Sequence, residues 1–362
     1  MMLFFSKQRA GIREFTSADE LPPVAILIAA YNEEKVIEEK LNSVFSTEYP
    51  LQQITVYVGS DASTDRTEEI VLRLAQQFKQ LHLVTFPNRV GKIGIVNHLQ
   101  SIAKDDLLIM TDANVVFTRS TIFELVKKFK DERTGIVAAN IIKKSINDEG
   151  ISFQEKKYLS LENRIKACES NAFNMIMGAE GGCYALRSNL FSKVPAHFIV
   201  DDFFITLSVI NAGKFALFNE NAICNEDVAN DTSGEYRRKV RISSGNFQNL
   251  FHFKKNLVQF WKPVFFTFWS HKVLRWITPF LLFLCLFVSA ALMSHSQLFL
   301  GLFILQLLGL LVPLFNYFFK FKNVPVKFIS HFYLMNFALL EGFLKFSRGI
   351  KSSIWQPIKR NV

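Results

Sequence analysis

Cysteine is scarce in this chain of 362 residues, and the four present form no chemical pattern. Cys168, Cys183, Cys224 and Cys285 make no CxxC pair and have no histidine at ligand spacing, which argues against a zinc or disulfide framework and for reduced thiols in a cytosolic core or in lipid. A phosphate-binding P-loop is also missing. The segment RVGKIG brackets Lys92 with glycines, but Phe86 stands where that pattern requires a further glycine. Internal repeats and low-complexity tracts are absent. The opening MMLFFSKQRAG has an apolar run too short for a signal sequence or a span, which predicts that the first 270 residues stay on the cytoplasmic side.

Charge is nearly absent from two long stretches nearer the other end. Val273 to Met293 reads VLRWITPFLLFLCLFVSAALM, with one charge at its start, and Leu298 to Phe319 reads LFLGLFILQLLGLLVPLFNYFF, with none. Each meets the length of about 20 residues that a helix needs to cross hydrocarbon, so both read as membrane spans. A third apolar segment, 328–346, is interrupted by His331, Asn336 and Glu341 and is expected to lie at the cytoplasmic interface or to re-enter. The net charge is +10, and basic residues outnumber acids nine to one between Glu235 and Arg275. Lys320, Lys322 and Lys327 follow the second run, whereas the SHSQ connection between the runs has no such residue. Cationic flanks around a neutral hairpin satisfy the positive-inside rule. Membrane lipid, not nucleic acid, is therefore the expected partner of this charge, in a multi-pass protein of the cell membrane.

The first 145 residues alternate β-rich runs with amphipathic helical ones. VAILIAA (24–30), ITVYVGS (54–60), LHLVTF (81–86), DLLIMTD (106–112) and GIVAANI (135–141) read as strands. Continuous apolar strands separated by helices predict an α/β fold with a mainly parallel sheet covered on both faces. Ligands of such sheets bind outside the carboxyl ends of the strands, and the residues there are AAYNEE, GSDAS and TDAN.

Several of these segments can carry chemistry. In TDAN, Asp112 and Asn114 fall on one side of the emerging strand, where two oxygen donors suit Mg²⁺ or Mn²⁺; a strand-terminating turn accounts for them equally well. Asp61 ends the neighbouring strand, placed to accept hydrogen bonds from a nucleobase or ribose. Asp65 reads as a helix-terminal carboxylate, and Ser63 or Thr64 as the N-cap. Lys92 either meets phosphate oxygens or lies on the surface. Asp201 and Asp202 sit between Ile199-Val200 and Phe203-Phe204, so burial is costly unless one caps a helix and the other has a task, such as general base for an acceptor hydroxyl. Arg238 and Arg241 share a helical face suited to a diphosphate.

The order of these segments, with the apolar anchor, resembles the membrane-bound family-2 glycosyltransferases, inverting enzymes of the GT-A fold that include cellulose, hyaluronan and poly-N-acetylglucosamine synthases. The resemblance covers about residues 22 to 355 and implies roles for particular residues. AAYNEE supplies nucleotide contacts at Ala30, Tyr31 and Glu33, and SDASTDRT a uracil-side acid, Asp61. GKIGIVN supplies Lys92, and DAN stands for the metal-binding DxD through Asp112 and Asn114. GAEGGCYALRS resembles the acceptor-side loop, with Gly181 and Gly182, and VDDFFITLSVINAG the ED motif, with Asp201 on the acceptor side and Asp202 as base. The expected partners are a UDP-sugar and a lipid or glycan acceptor, with a divalent cation as cofactor. Asn114 replaces the second acid of DxD; in the family's QxxRW, Arg238 stands for Gln and Ile242 for Trp, while Arg241 is retained. These departures keep open a membrane-tethered binding protein with a degenerate transferase domain, and the missing Trp argues against processive polymerisation. The implied organisation is an N-terminal segment (1–21), a GT-A domain (22–232), basic interfacial helices (233–272), a transmembrane region (273–346) and a basic tail (347–362).

Overall fold

The computed structural model describes residues 11–144, 151–227, 232–319, 321 and 323–350, with the backbone only for residues 144, 151–160, 227, 232–233, 235 and 324. The N-terminal apolar run, the flanking Lys320 and Lys322, the side chain of Glu235 and residues 351–362 of the basic tail lie outside these. The described residues divide into two compact units, 11–227 with 259–267, and 232–258 with 268–350.

The first unit is built on an eight-stranded sheet. In chain order it contains β1 (Val24–Ala30), α1 (Ile37–Phe45), β2 (Ile54–Ser60), α2 (Thr67–Gln77), β3 (Leu81–Thr85), α3 (Gly91–Ile102), β4 (Leu107–Asp112), β5 (Val115–Phe117), α4 (Thr121–Val126), β6 (Thr134–Lys144), α5 (Ile151–Phe173), β7 (Cys183–Arg187), α6 (Asp201–Asn211) and β8 (Phe215–Asp227). The strand order is β3-β2-β1-β4-β7-β6-β8-β5. Strands β3, β2, β1 and β4 are parallel, as their uninterrupted apolar runs predict. Val24, Ile26, Ile28, Leu108 and Ile109 are fully buried there. The chain winds outward from β1 to β3 and then returns to the far side of β1 as β4. The carboxyl ends of β1 and β4 therefore flank the switch point where doubly wound sheets hold ligands.

The fifth strand read from the sequence, β6, does not pair with the other four. The antiparallel β7 sits between β4 and β6, and β6 instead pairs in parallel with β8. This insertion lays the segment after the glycine-rich loop directly against the strand that ends in Asp112. A short helix, α8 (Pro263–Thr267), also belongs to this unit.

The second unit contains α7 (Thr232–His252), α9 (Leu274–Leu292), α10 (Gln297–Phe319) and α11 (Val324–Ser347). Pro263–Leu292 and Gln297–Phe319 are each long and apolar enough to cross a membrane. Helix α11 packs on α7, where a Cβ on Gly342 would meet the Ser243 side chain at 2.4 Å. Ser243 Oγ donates to the Leu339 carbonyl at 3.0 Å, and Tyr236 Oη donates to Glu341 Oε2 at 3.0 Å.

Candidate active site

Two turns at the carboxyl ends of β1 and β2 are stapled together, which accounts for the crowding of polar residues after β2. The Asn32 N–H donates to Ser63 Oγ at 3.2 Å, and Asn32 Oδ1 accepts from the Thr64 N–H at 2.8 Å. The Glu33 N–H donates to Thr67 Oγ1 and the Glu34 N–H to Asp65 Oδ2, at 2.8 and 3.0 Å. Ser63 and Thr64 thus serve the neighbouring turn and are not the N-cap of α2. Asp65, one residue before the N-cap position, supplies the capping oxygen, accepting from the Thr67 N–H at 3.0 Å. Ala30 is buried, and its carbonyl accepts from the Asp61 N–H at 2.9 Å.

Asp61 is fully buried, and both its carboxylate oxygens are taken by the protein. Oδ2 pairs with Arg89 Nε at 2.8 Å, and Oδ1 accepts from the N–H groups of Val90 and Gly91 at 2.6 and 3.2 Å. Gly91 opens α3 at φ 76, a left-handed conformation that favours glycine and turns these N–H groups toward the acid. The carboxylate expected to face a nucleobase therefore caps α3 and holds Arg89. The Arg89 guanidinium lies 3.4 Å from the centre of the Tyr31 ring. Nothing in the spacing of the sequence marked Arg89, which follows β3 and reaches Asp61 and Tyr31 only because β3, β2 and β1 lie side by side.

In the first turn of α3, Lys92 Nζ lies 2.6 Å from Asp112 Oδ1 at the end of β4 and 3.3 Å from the Gly181 carbonyl. Burial works against its charge, but the carboxylates of Asp112, Asp201 and Asp202 outweigh it and hold the ammonium above the ordinary lysine range. The glycine-rich loop is drawn in beside them. The Gly182 carbonyl accepts from the Asp112 N–H at 3.1 Å, and a Cβ on Gly181 would sit 2.8 Å from Asp202 Oδ2 and 3.6 Å from Lys92 Nζ. A side chain at Gly181 would displace the Asp202 carboxylate from this position.

Asp201 and Asp202 open α6. Asp201 is the more deeply buried, and Asp202 Oδ1 accepts from the Phe203 N–H at 2.6 Å, so the capping contact and the position facing the glycine loop fall on the same residue. Burial and the Asp201 carboxylate raise the Asp202 carboxyl to about 7, against the opposing pull of Lys92. On the loop's other side Lys166, almost buried, pairs with Glu180 at 3.1 Å.

Asp112 and Asn114 bracket the buried Ala113, but they engage different partners: Asp112 holds Lys92, and Asn114 Nδ2 donates to Glu226 Oε1 on β8 at 3.3 Å. Their oxygens are hard donors, and the Asp112 side chain is 38% exposed. Such a pair fits a divalent cation that fills its remaining positions with diphosphate and water. The described residues contain no cluster of three or more acidic, histidine or cysteine ligands. Arg238 and Arg241 belong to the second unit, on α7.

A doubly wound sheet with carboxylates and a lysine gathered at its switch point is the GT-A arrangement of nucleotide-sugar transferases. Residues 25–194 match the sequence profile described as Glycosyl transferase family 2. The chain is 27% identical over 259 residues to a protein named probable glycosyltransferase YdaM of Bacillus subtilis (strain 168), covering 67% of this chain and 59% of that protein. It is 31% identical over 119 residues to the beta-monoglucosyldiacylglycerol synthase of Nostoc sp. (strain PCC 7120 / SAG 25.82 / UTEX 2576), covering 32% of this chain and 25% of the synthase. It therefore spans less than two thirds of the length of either relative. Its fold is that of the mannosyltransferase PcManGT from Pyrobaculum calidifontis, solved with GDP-Man and Mn²⁺: the TM-score is 0.72 at 21% identity, over 96% of this chain and 92% of that one.

Proposed function

We propose that this protein is an inverting glycosyltransferase that moves a sugar from a nucleoside diphosphate, UDP by the resemblance, to an acceptor hydroxyl at the cytoplasmic face of the cell membrane. The observation that carries this reading is the meeting of Lys92, Asp112, Gly181 and Asp202 at the carboxyl end of β4, with Asp202 raised into the range of a working base. Tyr31, Glu33 and Arg89 form the nucleoside side, with Asp61 holding Arg89 and the start of α3 from behind and Ala30 setting the floor. Lys92 meets the diphosphate, a role that the family resemblance also gives to Arg238 and Arg241. Asp201, Gly181 and Gly182 shape the acceptor side.

In the transfer step the acceptor oxygen attacks the anomeric carbon from the face opposite the diphosphate. The bond to the diphosphate oxygen breaks with its electron pair, and Asp202 takes the hydroxyl proton. A nucleoside diphosphate whose charge is met by Lys92 leaves without a proton, so one carboxylate suffices, whereas hydrolysis of a glycoside needs an acid as well. A divalent cation held by Asp112 and Asn114 would add charge stabilisation on the diphosphate. The acceptor is a lipid or glycan; the named activity of the Nostoc synthase and the exposed apolar helices favour a lipid.

The test is incubation of membranes containing the full chain with a panel of radiolabelled nucleotide sugars, with and without Mn²⁺, followed by sizing of the products. A single labelled glycolipid is expected. Nucleotide binding with no transfer from any donor would overturn the reading in favour of a degenerate binding domain.

A further inference from the structure

Lys40 is the chain's most unusual cation: its side chain is wholly buried in the core below the Asp112–Asn114 turn. It lies on α1, in a helical stretch whose neighbouring charges, Glu38 and Glu39, read as a solvated face. Its ammonium meets no carboxylate at ion-pair distance among the described residues. Instead Nζ donates to Thr111 Oγ1 at 2.9 Å and to the Val115 carbonyl at 2.5 Å, and lies 3.4 Å from the centre of the Phe117 ring. A buried cation without an ionic partner is costly, and an apolar side chain of the same length would fill the space at less cost. Burial pulls the ammonium down to about 8, which leaves it charged at neutral pH.

The two acceptors are the residue before Asp112 and the residue after Asn114. Thr111 Oγ1 in turn donates to the Gly182 carbonyl at 3.0 Å, the same carbonyl that receives the Asp112 N–H. Ser43, one turn further along α1, accepts from the Phe117 N–H at 3.1 Å and extends the attachment along β5. One helix thus fixes both ends of the turn and ties it to the glycine-rich loop.

We infer that Lys40 is a positioning residue for the nucleotide-sugar site: by holding Thr111 and Val115 it sets the spacing at which Asp112 and Asn114 meet a divalent cation and the diphosphate. The inference rests on the reading given under Proposed function. Groups that orient metal ligands from behind govern affinity strongly, and removing one costs about 10- to 100-fold.

The experiment is calorimetric titration of the full chain in detergent with UDP, in Mn²⁺ and in EDTA, for the wild type and for Lys40→Met. The expected result is that Lys40→Met loses at least tenfold in UDP affinity in Mn²⁺ while its affinity in EDTA stays at the wild-type value. A residue that serves only the fold would lower the melting temperature and leave the Mn²⁺ increment intact. Should Lys40→Met not fold, Thr111→Val, which removes one of the two anchors at nearly constant volume, carries the same expectation. A folded variant with the full Mn²⁺ increment overturns the inference alone. A wild type without any Mn²⁺ increment overturns the metal assignment of Asp112 and Asn114, and this inference with it.

Discussion

Asp202 titrates near neutrality because burial and the Asp201 carboxylate both favour its protonated form. As a base it must be ionised, so transfer should rise through pH 7 on its acidic limb. Asp202→Asn should cost about 10²-fold or more in transfer while leaving nucleotide affinity intact, since the base serves only the acceptor step. Transfer above about a tenth of wild type would remove Asp202 from that role. The same shift fixes a stability effect. A carboxyl whose folded value lies above its ordinary 3.8 contributes stability at low pH, and loses it as the pH rises from there through about 7. Asp202→Asn is neutral throughout, so its melting temperature should exceed the wild type's at pH 8, with the gap closing toward pH 4. The metal pair gives a separate expectation. Asp112→Ala should abolish metal-dependent nucleotide binding, whereas Asn114→Asp should preserve or tighten it, because a carboxylate is the better hard ligand. Unchanged Mn²⁺ dependence in Asp112→Ala, measured by calorimetry, would show that the cation binds elsewhere.

At the scale of elements, α3 matters because it carries Lys92 in its first turn and lies on β2 at Gly59. A Cβ on Gly59 would overlap Ile95 Cγ2, so Gly59→Ala must displace the Ile95 side chain or the helix that carries it. Overpacking of this kind typically costs about 1–3 kcal/mol. Chemical denaturation should show that loss, together with weaker nucleotide binding as Lys92 moves. Undiminished stability would mean that the packing adjusts around the methyl. Strands β1 to β4 were legible in the sequence because parallel strands buried on both faces read as unbroken apolar runs. Strand β7 was hidden by its brevity and by the glycine loop before it. Strand β8 was hidden by the polar Asn219-Glu220-Asn221 within it, next to a register irregularity where it pairs with β6. The segments that converge on Lys92 were legible by their residue types, but their partners were not. Arg89 finds Asp61 only through the pairing of strands, and Lys40 sits in a sequence that reads as solvated helix although its side chain points into the core.

For the whole molecule, the apolar helices bear on the number of membrane crossings to be expected. Helix α10 exposes large apolar side chains all round, Leu298 at 67% and Phe318 at 68% among them, which suits lipid rather than water. Helix α11 differs. It carries Glu341, held by Tyr236 of α7 and by Lys345 at 3.0 Å, and it packs along α7, which buries Ser243, Ser244, Gln248 and Asn249. A carboxylate at the bilayer centre costs about 2.5 kcal/mol or more, and α7 is too polar to accompany α11 through hydrocarbon. We therefore expect two crossings, with α11 at the cytoplasmic interface. In a variant lacking Cys168, Cys183, Cys224 and Cys285, a cysteine at Ser296, between α9 and α10, should react with a membrane-impermeant thiol reagent in intact cells. A cysteine at Ser347, at the end of α11, should react only after permeabilisation. Labelling of both in intact cells would establish a third crossing, and with it a place for Glu341 inside the bilayer.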